Sequence, residues 1–337
     1  MGLSRLKVAS LMSEKESHLT AFTSRQLLDS SVNRRAILKS SAALGAGALI
    51  AGRIGPAAAQ DASPAVVDGG EYPELVLVAS EFKFEMPATA ESGYNRLTLD
   101  NQGGADHHAM FIRLNDDTTE DQFMTGLQSG DLLALLDLGA SYGGPMAGAG
   151  SQESVIASLD AGTYAVICVI PDEQDVPHVA HGMIAMLEVS EGASTAADPV
   201  ADGTITLVEM AFDGLPPEIP AGTYTWQVIN GGTQLHEMAV LQLAPGVPAE
   251  ALIAEMTAGP PEAAASPEAV PAASPVADAG PPPFVGLFGA APMSPGATNY
   301  VEFDAQPGEY VAVCFVPDAE TGMPHALMGM VASFLVV

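Results

Sequence analysis

This 337-residue chain has few of several residue types, and each shortage excludes something. It has two cysteines, Cys168 and Cys314, so at most one disulfide and no disulfide framework. It has 11 Lys and Arg against 41 Asp and Glu. Eight of those cations and only three of the acids lie in residues 1–59. Beyond residue 59, Lys83, Arg96 and Arg113 are the only cations, facing 38 acids. Such a surface cannot bind nucleic acid through its phosphates. It repels anionic lipid and favours a cationic partner in a salt-dependent way; a general acidic adaptation of the organism would produce the same composition. There are seven histidines. No long apolar run is present either: the Ala/Gly/Leu stretch after Lys39 is too short and weak for a membrane span.

What is present is a repeat. Residues 162–183 read GTYAVICVIPDEQDVPHVAHGM, and residues 308–330 read GEYVAVCFVPDAETGMPHALMGM. Each holds one of the two cysteines, a Pro-Asp turn, a Pro-His pair and Gly-Met. Thiolate, imidazole and thioether form a soft donor set that suits copper over calcium, magnesium or manganese. A second repeated block completes it. NQGGADHHAMFIRL (101–114) aligns with NGGTQLHEMAVLQL (230–243), placing His107 opposite His236. An apolar run with β character follows each, so each histidine is expected at the start of a strand.

The strand openings also repeat, LVLVASEFKFEMP against ITLVEMAFDGLPP. Many short strands with Pro/Gly turns predict an all-β sandwich in each half. Residues 118–128 and 248–259 carry helix-start signals, giving one short helix per half. The matched Pro-Met segments, SYGGPMAGAG and GLFGAAPMSPG, are expected near the metal end of each domain.

With these residues in view, both halves resemble the cupredoxins, or type 1 blue-copper domains. The motifs are the Asn/Gly stretch before the first histidine, Gly-x-Tyr-x-x-x-Cys, and a histidine with four residues between it and a methionine. The resemblance implies two tandem Greek-key cupredoxin-like β-sandwiches. It implies copper, cycling between Cu(II) and Cu(I), at most one per domain. The ligands implied are His107, Cys168, His178 and Met183 in the first half, and His236, Cys314, His325 and Met330 in the second. Nine residues separate Cys168 from His178 and ten separate Cys314 from His325. Loops of that length resemble the type 1 site of two-domain copper nitrite reductases more than the short loop of small carriers.

That enzyme also needs a second copper held by three histidines, one directly before the cysteine. Here Ile167 and Val313 stand at that position. The chain also lacks the His-x-His pairs and His-Cys-His run of multicopper oxidases. Outside the implied ligands, only His108 and His181 remain beyond residue 59. His108 should face away from His107. With His181 it makes a weak second-metal candidate without a third partner. The reading is therefore a one-electron carrier rather than an enzyme, serving a redox partner protein. Alternatives are a copper-delivery protein without redox cycling, favoured by Met323, Met328 and Met330, and a copper oxidoreductase of the nitrite reductase type. A disulfide between the cysteines and a decayed, metal-free pocket are the simpler alternatives. The Pro171-Asp172 and Pro317-Asp318 turns are expected to tune the sulfurs.

Arg34-Arg35 followed by an Ala/Gly/Leu run reads as a twin-arginine export signal over residues 1–59, with a small-residue cleavage site after Ala59. The mature chain is then extracytoplasmic, periplasmic or secreted. The expected layout is a first domain at 66–190, a linker at 191–201, and a second domain at 202–337. A Pro/Ala-rich disordered insert at 258–283 interrupts the second domain.

Overall fold

The computed structural model describes residues 67–68, 72–127, 134–192, 196–257 and 283–337. The export signal, nearly all of the Pro/Ala-rich insert and the centre of the linker lie outside the described residues.

Each half is a two-layer β-sandwich. In the first half, one layer contains Pro73–Ser80, Gly93–Asn101 and Gln152–Leu159. The other runs Thr89–Glu91, Ile184–Ser190, Gly162–Ile167, Met110–Leu114, Gly139–Ser141 in spatial order. The chain passes between layers in Greek-key fashion, from Gly93–Asn101 to Met110–Leu114 and back to Gln152–Leu159. The second half repeats this. Gly203–Val208, Gly222–Asn230 and Thr298–Ala305 form one layer, and Glu218–Ile219, Val331–Val336, Gly308–Val313, His236–Leu243 and Phe284–Met293 the other.

Alternation sets the inward faces. Along Pro73–Ser80, Leu75, Leu77 and Ala79 are buried while their neighbours are partly exposed. Met110–Leu114 and His236–Leu243 depart from this and are almost wholly buried. They are central strands with no polar alternation, so both faces must be covered.

The two predicted helices form at Glu120–Leu127 and Ala249–Thr257. The first starts with a reciprocal cap: Gln122 N donates to Thr119 Oγ1, and Thr119 N donates to Gln122 Oε1. The second is anchored by Ala249 N donating to the Glu309 carboxylate at 2.7 Å, an anion at a helix N-terminus.

The halves are fused into one sheet. Gln152–Leu159 pairs antiparallel with Thr298–Ala305, so a nine-stranded sheet runs through both sandwiches. In that pairing Val155 lies opposite Val301, its own counterpart in the repeat. A second contact obeys the same relation. Ala291 N donates to Gly144 O at 2.8 Å, and these two are counterparts when the Pro-Met segments are aligned. The halves are thus related by an approximate twofold axis through Val155/Val301 and Gly144/Ala291. Gly144 has φ +134°, and a Cβ there would lie 2.0 Å from Ala109 O, so only glycine fits.

Among the described residues no helix is long and apolar enough to cross a membrane.

Two candidate metal centres

Each candidate site is assembled from three parts of its sandwich. The first histidine enters from the loop after a long strand: His107 opens the two-residue strand His107–His108, and His236 opens His236–Leu243. The cysteine directly follows the strand Gly162–Ile167 or Gly308–Val313. The second histidine opens a single 3-10 turn, His178–His181 or His325–Met328.

A buried asparagine holds the first histidine's loop in shape. Asn101 Nδ2 donates to Ala105 O, Ala147 O and Gly148 O, while its Oδ1 accepts from Gly103 N. Asn230 does the same with Gln234 O, Met293 O and Gly232 N. A carboxylate grips the loop from the other side: Glu81 accepts from Gly104 N, and Glu209 accepts from Thr233 N and its hydroxyl. Glycine leaves the imidazole its room. A Cβ at Gly103 would lie 3.1 Å from His107 Nε2, and one at Gly232 would lie 2.8 Å from His236 Nε2.

The long loops are internally framed. Val179 N donates to Cys168 O, His178 N to Ile170 O, and Met183 N to His178 O. The second loop copies all three, with Ala326 N to Cys314 O, His325 N to Val316 O and Met330 N to His325 O. Isolated bridges join Pro171 to Pro177 and Pro317 to Pro324. Gly182 at φ +101° and Gly329 at φ +108° then reverse the chain into the buried Met183 and Met330. The extra loop length is therefore a closed hairpin outside the pocket, and it leaves the cysteine and histidine adjacent.

These parts converge. His107, Cys168 and His178 bring one donor atom each within 4.8 Å of one another, and so do His236, Cys314 and His325. His107 Nδ1 and His178 Nδ1 are 3.0 Å apart, with Cys168 Sγ 3.9 Å and 3.5 Å from them. Cys314 Sγ is 3.4 Å from His325 Nδ1. A three-coordinate ion with bonds of roughly 2.0–2.3 Å sets its donors roughly 3.5–3.8 Å apart; the sulfur–nitrogen separations of 3.4–3.9 Å match this closely, and the 3.0 Å nitrogen pair is shorter. All six side chains are at most 2 % exposed. No disulfide joins the cysteines.

The pockets are chemically suited to an ion. In the second pocket both ring nitrogens of His236 are buried without a hydrogen-bond partner, whereas the orphaned nitrogens of His107 and His325 are Nε2, on the far side of each ring from the Nδ1 that faces the sulfur. Burial costs a polar atom its water, so such atoms call for a partner. Burial also pushes the pKa of His107, His178 and His236 down to about 4, and lowers that of His325; in His107 and His236 the paired histidine adds to the effect. The imidazoles are thus neutral at neutral pH, the form that binds metal. Two neutral imidazoles and one thiolate in a dry pocket fit copper, one per domain.

The remaining sequence candidates have other partners. His108 is buried, and its Nε2 accepts from Val169 N at 3.2 Å. His181 Nε2 lies 2.7 Å from Asp172 Oδ2 at the surface, with its ring against Phe82. The two do not join in a metal group. The Asp amides of the two Pro-Asp turns bond within their own loops rather than to the sulfurs. Asp172 N donates to Val176 O and Asp318 N to Met323 O. An amide that does reach Cys314 Sγ, at 3.4 Å, is that of Glu237. The Asp side chains instead bind the loop. Thr321 donates its hydroxyl to Asp318, which with Gln234 and further amides holds that carboxyl down to about 2. For Asp172, burial alone would raise the pKa, but bonds from Val176, His181 and Gln174 lower it overall. The Pro-Met segments do sit at the metal end, with Ala147 opposite His107 and Met293 opposite His236.

The roles of Asn101, Asn230, Glu81, Glu209 and Glu237 escape a motif reading. Asn101 and Asn230 recur at matching positions of the repeat, but Glu81 and Glu209 are two positions apart when the strand openings are aligned and become counterparts only through strand pairing, Ala79 with Asn101 and Leu207 with Asn230.

No protein-family model matches the sequence, and no curated protein matches it. Among solved structures, dithionite-reduced auracyanin from Roseiflexus castenholzii is 18 % identical, covering 35 % of this chain and 96 % of that one, with a TM-score of 0.24. A copper nitrite reductase from Nitrosomonas europaea is 13 % identical, covering 78 % and 93 %, with a TM-score of 0.22. A multicopper oxidase is 14 % identical, covering 81 % and 92 %, with a TM-score of 0.22. What the two pockets of this chain can hold follows from their own side chains. Two His–Cys–His groups on two copies of one sandwich fit a tandem cupredoxin-like protein.

Proposed function

We propose that the chain is an exported blue-copper electron carrier with a type 1 site in each half. The ligands would be His107, Cys168, His178 and Met183 in the first, and His236, Cys314, His325 and Met330 in the second. The observation that carries this is the convergence, twice, of two neutral imidazole nitrogens and one cysteine sulfur in a pocket closed to water. Copper bound there supplies a one-electron couple.

The protein's part is to keep that environment the same in both oxidation states. The Asn101 and Asn230 clamps and the framed loops fix the imidazoles and sulfur before any ion arrives, so little rearrangement accompanies electron exchange. Burial keeps water from the sulfur. His178 and His325 are the proposed exits, since each sits on a surface loop. The Phe82 ring lies 5.1 Å from that of His178 and continues toward His181 at the surface. The acidic surface suits a cationic redox partner. Arg34-Arg35 and the stretch after them support twin-arginine export to an extracytoplasmic site, leaving two domains at 66–190 and 202–337.

The test is the absorption of purified, copper-loaded protein. A strong visible copper–thiolate band is expected, reduced by Cys168→Ser and by Cys314→Ser and abolished by both. A colourless protein with full copper would sink the proposal. The copper-delivery reading keeps one observation in its favour: Met323 is 45 % exposed, and Met328 is only partly buried on the same loop. It predicts transfer of Cu(I) to a chelator from the second half before the first.

A further inference from the structure

The two pockets stand at opposite ends of the molecule. Asn101 and Asn230 mark the metal end of each sandwich, because each clamps the loop of its first histidine. Asp100 pairs with Gln152, and Ile229 with Thr298. The seam strands Gln152–Leu159 and Thr298–Ala305 therefore both begin at the metal end of their own half. They run antiparallel, with Ser154 opposite Glu302 and Ala157 opposite Asn299. Continued, that register sets Thr298 opposite Ser158, and Gln152 to Ser158 is about 20 Å of strand. The Pro-Met segments agree. Ala147 lies opposite His107 and Met293 opposite His236. Yet bridges join Tyr142 to Met293 and Pro145 to Ala290, and Gly148 N donates to Leu287 O. Ala147 and Met293 thus occupy opposite ends of that ladder too.

We propose that the chain is a two-ended carrier, which docks one small cationic redox protein at each end at the same time. This rests on the reading of both pockets as electron-transfer sites. His178 and His325 are at most 2 % exposed, each under its own loop, so a partner approaches either centre over that loop. With the loops at opposite ends, one compact partner cannot reach both, and two partners do not collide. The seam is a continuous ladder, so the two ends keep their directions whether docked or free.

Both ends offer such a partner the same chemistry. Glu81 and Glu173 are exposed on the loops of the first end, and Glu209 and Glu320 on those of the second. No Lys or Arg occurs in residues 202–337. At the first end, Lys83 is already ion-paired with Glu85. Inside these acidic margins, Val179 follows His178 and Leu327 follows His325, both only partly buried. An apolar centre within an acidic margin complements a face whose own apolar centre is ringed by lysines. Opposite charge also speeds encounter, in a salt-dependent way.

The probe is mitochondrial cytochrome c, a small basic haem protein. Gln174→Cys and Glu320→Cys each place a thiol at an exposed position of one loop, where a polyethylene glycol maleimide blocks that end. Cys168 and Cys314 are fully buried and stay unlabelled. In sedimentation of the metal-free chain with excess cytochrome at low salt, we expect two cytochromes per chain, one after either label and none after both. One per chain without a label, or two that survive both labels, would overturn the proposal. In the copper-loaded chain, reduced cytochrome gives one electron to one oxidised copper, read as bleaching of the visible band. With Cys314→Ser or Cys168→Ser leaving a single centre, each label should slow uptake at its own centre by about tenfold or more and leave the other centre unchanged. A label that slows both centres equally would overturn the proposal as well. Two docked cytochromes on a chain with no copper–thiolate band would support the two docking ends and refute the carrier reading alone.

Discussion

Replacing Asn101 tests whether the pocket is preorganised by its loop. Its side chain is 1 % exposed. Two amide hydrogens serve three carbonyls, Ala105 O at 2.8 Å, Gly148 O at 3.0 Å and Ala147 O at 3.1 Å, so one hydrogen is shared. Its oxygen accepts from Gly103 N at 3.0 Å. That amounts to three bonds' worth of interaction at about 1 kcal/mol each, plus the cost of leaving buried carbonyls unpaired. Asn101→Ala should therefore cost roughly 3–5 kcal/mol. Asn101→Asp has the same shape, leaves no cavity and places a carboxylate against the same carbonyls, so it should cost at least as much. Asn115→Ala is the control, since Asn115 is exposed and its side chain makes one bond, to Asp137 O at 2.9 Å; it should cost below about 1 kcal/mol. Urea unfolding of the metal-free chain at constant m-value reads the differences. In the copper-loaded Asn101 variants, the first site's band should weaken while the second site's remains. An Asn101→Ala cost no greater than the Asn115 control would refute the clamp.

Three further outcomes are expected. Gly144→Ala, which drives a Cβ to 2.0 Å from Ala109 O at a φ of +134°, should lower soluble yield and the thermal midpoint sharply; a wild-type midpoint would contradict the close approach. Burial raises Glu153 to about 7. Its protonated form is favoured in the fold, so stability is full below the ordinary carboxylate pKa and falls as pH rises through about 7. Glu153→Gln should gain on wild type at pH 8, by roughly 2 kcal/mol in urea titrations, and not at pH 4; an equal gain at both would exclude this cause. Asp318 is held down to about 2, chiefly by the Thr321 hydroxyl, so its contribution is present above the ordinary carboxylate pKa and is lost as pH falls toward 2. Thr321→Val should move the acid-unfolding midpoint upward, as followed by circular dichroism, and an unchanged midpoint would count against that bond.

Much of the site was legible because it is repeated. Two copies of Cys, Pro-His and Gly-Met picked out one end of each pocket, and the Asn/Gly block supplied the histidine far away in the chain. The helices were legible from local signals, and form at Glu120–Leu127 and Ala249–Thr257, within a few residues of the expected limits. What stayed hidden depends on contacts between distant segments. Nothing in QESVIASL or TNYVEFDA reveals that these strands pair with each other, because alternation specifies a face and not a partner. An amide donor to the sulfur was sought in the turn that follows the cysteine, yet one at Cys314 comes from Glu237, 77 residues earlier. The loops looked long for a compact pocket. Their cross-bridges at Pro171/Pro177 and Pro317/Pro324 take up the extra residues, which spacing alone cannot show.

The twofold seam at Val155/Val301 has a consequence for how the molecule moves and assembles. A strand at the margin of a sandwich is an open template for another chain. Here Gln152–Leu159 and Thr298–Ala305 occlude one another in a self-matching register. The arrangement is that of an isologous dimer whose two protomers have been spliced into one polypeptide. Neither sandwich can swing away without breaking a continuous ladder, so the spacing between the two pockets is a constant of the fold rather than a hinge coordinate. Severed from its twin, either half would expose a margin already shaped to receive a copy of itself.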